Sequence, residues 1–77
     1  MKADQTLDCV GIYCPTPIIK TTVQIKEMKT GEVLEVVSDD KRIKLDMPDW
    51  CQRTKHEFLG LEENGKEIKV YVKKTHD

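Results

Sequence analysis

The residues best placed to do chemistry are in "GIYCPTPIIK", residues 11–20. Here Cys14 is followed at once by Pro15, Thr16 and Pro17. A proline disfavours the α region for the residue before it, so Cys14 and Thr16 are both expected to be non-helical. Pro17 suits the first position of a helix, and Thr16 suits its N-cap. Cys14 then lies just ahead of a helix N-terminus, near the free N–H groups of Ile18 and Ile19 and the positive end of the helix dipole. Such a setting favours thiolate over thiol, and the thiolate is the nucleophile in sulfur exchange. Pro15 stiffens the approach, so displaying Cys14 costs little further backbone entropy. The plainer alternative is a small buried cysteine in a turn that happens to start a helix.

Other reactive side chains are open to two readings each. Lys20 lies one turn into the same helix and either adds positive charge near Cys14 or is a solvated surface lysine. Asp46 either caps a second helix or ties that helix to the Cys14 loop. Cys51 falls on an apolar helical face with Met47 and Phe58, which points to core packing. Cys9 sits in a first strand, where alternation decides whether it faces the helices or solvent. Cys9 and Cys14 have four residues between them and no second pair follows, a poor zinc pattern, so no metal is expected. A Cys9–Cys14 disulfide stays open as a resolving state. His56 is read as answering a helix C-terminal dipole, His76 as part of a frayed tail, and Trp50 as either core or partner anchor.

The chain has 77 residues, which fits one small domain spanning 1–77. A core this small cannot enclose a large cofactor, and none is expected. Thirteen Lys and Arg against fourteen Asp and Glu give a net charge of −1, unlike the basic excess of a dedicated nucleic-acid binder. The first residues lack an apolar signal-peptide region, and no apolar run reaches the roughly 20 residues of a membrane span. A cytoplasmic setting is expected, with the three cysteines reduced.

The elements that must position Cys14 follow from periodicity. Residues 5–10 read as a first strand, and a helix runs from Pro17 with Ile19, Val23, Ile25 and Met28 as its apolar positions. Gly31 suits the C-terminal cap of that helix. Residues 32–38, "EVLEVVS", form a second strand. Pro48 reads as an early residue of a second helix reaching about Glu57, with Met47, Cys51, Thr54 and Phe58 on one face. "FLGLEENGKEIKVYVKK" is a hairpin turning at Asn64-Gly65, with Ile68, Val70 and Val72 on one face of the last strand. The order β-α-β-α-β-β gives a two-layer α/β sandwich of the α+β kind: a four-stranded mixed sheet with two helices on one face.

Cys14 to Pro17 as Cys-Pro-x-Pro resembles the TusA/SirA family of small sulfur-carrier proteins. So do Leu7-Asp8 and Gly11 ahead of it, Asp39-Asp40, and "DMPDWC" at 46–51 behind it. The resemblance spans nearly the whole chain. It implies a fold like the C-terminal domain of a bacterial translation initiation factor, and a persulfide carried on Cys14. It implies a cysteine desulfurase or another sulfurtransferase as donor, and a downstream acceptor protein in tRNA thiolation, molybdenum cofactor synthesis or sulfur oxidation. Thr16 stands where the tRNA-thiolation member usually has Glu. A carrier that docks on successive partners is expected to be a monomer when free, without direct nucleic-acid binding. Two other classes stay open at this point. One is a thiol redox protein pairing Cys14 with Cys9 or Cys51. The other is an RNA- or protein-binding regulatory module using Lys66, Lys69, Lys73 and Lys74.

Overall fold

The computed structural model describes residues 2–13 and 16–76, so Cys14 and Pro15 lie outside the described residues. Six elements follow in order: β1 (Gln5–Asp8), α1 (Thr16–Glu27), β2 (Val33–Ser38), α2 (Ile43–Thr54), β3 (Glu57–Asn64) and β4 (Glu67–Lys73). They form one four-stranded sheet in the order β1-β2-β4-β3. β1 runs parallel to β2, as the α1 crossover between them requires, and the other pairs are antiparallel. This is the mixed sheet with two helices expected from the sequence.

The helices and the sheet share one core. Ile25 and Met28 from the α1 side and Ile43, Met47, Trp50 and Cys51 from α2 meet Leu34, Val36, Ile68, Val70 and Val72 from the strands. Ile68, Val70 and Val72 alternate along β4, so period-2 patterning delivers them to the helical side. Leu34 is fully buried, and truncating such a leucine to alanine typically costs about 2–5 kcal/mol.

The other sheet face carries a polar row. Thr6, Glu35 and Tyr71 lie opposite one another across β1, β2 and β4. The Thr6 hydroxyl donates to Glu35 Oε1 at 3.2 Å, and the Tyr71 hydroxyl donates to Oε2 at 2.8 Å. Its bond to the Glu35 carboxylate, with burial, pushes the Tyr71 phenol up to about 12.

Several elements differ from their sequence reading. β1 stops at Asp8, although the Cys9 N–H still reaches the Val37 carbonyl at 2.7 Å before Gly11 turns the chain at φ +81°. The helix limits of α1 include Thr16, which is thus its first residue rather than its cap. Ile19 and Val23 are 56% and 57% exposed. The buried arc is instead Pro17, Thr21 and Ile25, at i, i+4 and i+8. A threonine can hold the central place because its hydroxyl donates to the Pro17 carbonyl at 2.7 Å. Gly31 lies four residues past the end of α1, where its N–H donates to the Lys74 carbonyl at 2.7 Å and leads the chain into β2.

α2 starts five residues before Pro48 and ends at Thr54. Its first turn is tight: the N–H groups of Ile43, Lys44 and Leu45 each bond to a carbonyl three residues back, at 3.1, 3.2 and 3.0 Å. Burial of Ile43 and Met47 holds a helix around an interior proline that by itself would mark a boundary. Phe58 consequently belongs to β3, not to the helical face of Met47 and Cys51. In the hairpin Asn64 pairs with Glu67, so the two-residue loop is Gly65-Lys66. Only Gly65 has positive φ there, the sign pattern of a type II′ turn.

Candidate functional site

The Cys14 motif joins β1 to α1, and the residues on either side of it are held by a set of hydrogen bonds. Asp8 Oδ1 accepts from the Val10 N–H at 3.0 Å, and the Ile12 N–H donates to the Cys9 carbonyl at 3.1 Å. The Gly11 N–H donates to Asp39 Oδ1 at 3.0 Å, which anchors this loop to the one leaving β2. The Thr16 N–H donates to the Tyr13 carbonyl at 3.1 Å and joins the two described residues that bracket Cys14 and Pro15. The first turn of α1, from Thr16, carries no acidic side chain of its own at the positive end of its dipole.

Asp46 is not the cap of α2. That position is Arg42, which makes no side-chain capping bond. Two residues earlier, the Asp40 carboxylate accepts from the Arg42 N–H through Oδ1 at 3.0 Å, and the Arg42 guanidinium closes on both its oxygens at 3.0–3.3 Å. Asp46 and Asp40 instead line a narrow crevice with Pro17, Ile18 and Ile43. The crevice is far too small for a ligand, but it sets Asp46 beside the first turn of α1. Lys20 is exposed, and its charge lowers the Cys9 pKa against a larger upward push from burial.

Both described cysteines are buried and free. Burial raises the Cys9 thiol, and it pushes Cys51 up to about 12. Both are therefore protonated near neutral pH and poor in exchange. This weighs against either as the partner in a redox pair with Cys14.

Exposed apolar side chains flank the motif among the described residues. Val10 is 44% and Tyr13 59% exposed in the loop before it, and Ile19 and Val23 stand one turn apart on the outer side of α1. Periodicity groups Ile19 and Val23 with the apolar positions of this helix, yet both face outward. The spacing of Pro17, Thr21, Ile25 and Met28 was the signal that would have freed them.

The remaining candidates gather elsewhere. Trp50 is buried, and its Nε1–H donates to Thr22 Oγ1 at 3.0 Å. His56 stacks on Trp50 at 5.6 Å between centroids and on His76 at 4.3 Å. Its Nδ1 accepts from the Thr75 N–H at 3.3 Å, so it is a stacked ring rather than a dipole partner. His76 is not frayed, since its Nε2 lies 2.7 Å from the Thr54 carbonyl. Lys74 is 4% exposed, with Nζ donating to the Met28 carbonyl at 2.6 Å, which removes it from the surface lysines of the hairpin. Lys69 and Lys73 lie opposite Glu62 and Glu57 in the ladder, so that face is not a basic patch. Among the described residues no helix is long and apolar enough to cross a membrane, and no group of three metal-ligating side chains converges.

Comparison with known proteins bears on the family and the fold. The family described as Sulfurtransferase TusA matches residues 5–74. "Putative sulfur carrier protein YrkF" of Bacillus subtilis (strain 168) is 42% identical over 74 residues, 96% of this chain and 40% of its own length. The chain thus spans less than half of that relative. "Putative sulfur carrier protein YrkI" of the same organism is 35% identical over 74 residues, covering 96% of this chain and 99% of its own. The crystal structure of a SirA-like protein from Desulfitobacterium hafniense superposes with a TM-score of 0.80, at 22% identity, over 94% of this chain and 99% of that one, and so shares the fold. By sequence, with the fold in agreement, this chain belongs to the TusA/SirA family of sulfur carriers.

Proposed function

We propose that the protein carries sulfane sulfur as a persulfide on Cys14. The observation that carries this reading is the state of the other two thiols: Cys9 and Cys51 are buried and hold their protons, which leaves the motif cysteine for the chemistry. The Cys14 thiolate attacks the terminal sulfur of a donor persulfide. The donor's S–S bond breaks, the donor cysteine leaves as thiolate, and a new S–S bond forms on Cys14 with the persulfide proton retained or lost to water. An acceptor thiolate then removes the terminal sulfur by the same exchange, and Cys14 returns to thiolate. No net oxidation occurs in either step.

Pro15, Thr16 and Pro17 support the motif, Thr16 and Pro17 by opening α1. The N-terminus of α1 favours the anionic forms. Asp46, beside Pro17 and Ile18, braces α2 against that turn, and Lys20 adds positive charge on the same side. The exposed Val10, Tyr13, Ile19 and Val23 suit docking of a protein donor and acceptor. A cysteine desulfurase or another sulfurtransferase is the donor class, and the acceptor belongs to tRNA thiolation, molybdenum cofactor synthesis or another sulfur pathway. We place the exchange in the reducing cytoplasm and read residues 1–77 as one carrier domain, monomeric when free.

The test is to incubate the protein with a cysteine desulfurase and cysteine and weigh it intact. One added sulfur atom is expected on the native chain and none on Cys14→Ala. Absence of added sulfur on the native chain, or equal loading of both, overturns the proposal.

A further inference from the structure

A second concavity opens away from the Cys14 motif, between the C-terminal halves of the two helices. It is lined by Thr22, Ile25, Lys26 and Met28 from the α1 side, by Trp50, Thr54 and His56 from the α2 side, and by Lys74 and His76 from the segment after β4. Ile25 lies nine residues beyond Thr16, about 14 Å along the helix at 1.5 Å per residue. The cavity measures about 530 Å³, within the range of sites that take small organic molecules.

Its chemistry is uneven in a telling way. Trp50, His56 and His76 form a wall of stacked rings, with His56 and His76 only 3° from parallel. Ile25 and Met28 are buried and supply an apolar floor. The wall's own polar groups are largely engaged: Trp50 Nε1–H with Thr22 Oγ1, the Thr22 hydroxyl with the Ile18 carbonyl, and His56 Nδ1 with the Thr75 N–H. Hydrogen-bond readout is thus limited, and rings and charge dominate. Every charged side chain in the lining is a lysine, Lys26 exposed and Lys74 buried, and no carboxylate lines it among the described residues. The positive field acts on His56, whose pKa is lowered by burial first and then by His76 and Lys74. Near neutral pH that ring is uncharged, which suits stacking.

The geometry points to a binding site for a flat aromatic anion, an aromatic carboxylate, sulfonate or phosphate, independent of sulfur exchange at Cys14. The ring system packs on the Trp50, His56 and His76 wall and the apolar floor, and the anionic group meets Lys26 at the mouth.

Trp50 is the chain's single tryptophan and lines the cavity, so its emission reports occupancy directly. The experiment titrates the protein near neutral pH with anilinonaphthalene sulfonate and follows both the Trp50 emission and the probe. Saturable one-to-one binding is expected, with Trp50 quenching on the same curve. Lys26→Glu and His76→Ser should each weaken it, Lys26→Glu by about tenfold, with unchanged circular dichroism. Cys14→Ala and Val23→Ser should bind as the native chain does. The neutral analogue phenylnaphthylamine should bind about tenfold more weakly. Binding insensitive to Lys26→Glu and to His76→Ser, or lost in Val23→Ser, places the probe on the exposed α1 surface and overturns the site. Equal affinity for the neutral analogue overturns the anionic class.

Discussion

Lys74 Nζ donates to the carbonyl of Met28 at 2.6 Å, 46 residues away in sequence, and so closes the C-terminal end of α1 from the end of the last strand. A second contact to the Lys26 carbonyl, at 3.4 Å, is weaker. The bond answers carbonyls that a helix end leaves without partners, and it does so with a charge, which raises its strength. Lys74→Met keeps most of the stem and loses the donors. It should cost about 1–3 kcal/mol, seen as a lower urea midpoint at unchanged slope. An unchanged midpoint would mean that the ammonium contributes nothing net.

Thiol labelling should separate the three cysteines. Cys51, pushed to about 12 by burial, has a thiolate fraction on the order of 10⁻⁴ at pH 8. Cys9 is raised for the same reason and is fully buried. Iodoacetamide at pH 8 should therefore modify one thiol on the folded chain and three in urea, by intact mass. Rapid modification of two or more on the folded chain contradicts the burial of Cys9 and Cys51.

His56 should make stability depend on pH in a stated direction. Its pKa in the folded chain is lowered from 6.5 by burial and by the charges of His76 and Lys74, so the unfolded chain binds the extra proton first. Stability is then full above about 6.5 and falls as pH drops from there toward the folded value. His56→Phe keeps a ring between Trp50 and His76 and should flatten that fall, as measured by urea unfolding from pH 8 to pH 5. An equally steep fall in the variant assigns the dependence to other groups.

Val23 is 57% exposed on the outer face of α1. Val23→Glu should leave stability within about 0.5 kcal/mol of the native chain, because it removes no core contact. If this face docks the sulfur donor, the same change should slow loading of Cys14 by about tenfold in a timed assay with the desulfurase. Loading at the native rate would move the docking surface elsewhere.

Local chemistry made much of the fold legible. Gly65 announced the hairpin, the β-branched run at 33–38 announced β2, and alternation at Ile68, Val70 and Val72 chose the inner face of β4. Its failures share one cause. Thr21, Pro48 and Lys74 each look wrong for where they sit: a hydroxyl in the core, a proline inside a helix, a buried ammonium. Each is tolerated because a neighbour satisfies or outweighs it: the Pro17 carbonyl, the burial of Ile43 and Met47, and the Met28 carbonyl.

By itself the sequence determined the order of elements, the family and the thiol to suspect, because propensity, proline geometry and motif spacing act over a few residues. Only tertiary structure decided that Ile19 and Val23 face outward, and that Cys9 and Cys51 hold their protons. It alone brought Trp50, His56, Lys74 and His76 around one cavity. Burial and the pairing of distant residues set those outcomes, and both depend on how helices and sheet pack rather than on any local run of residues.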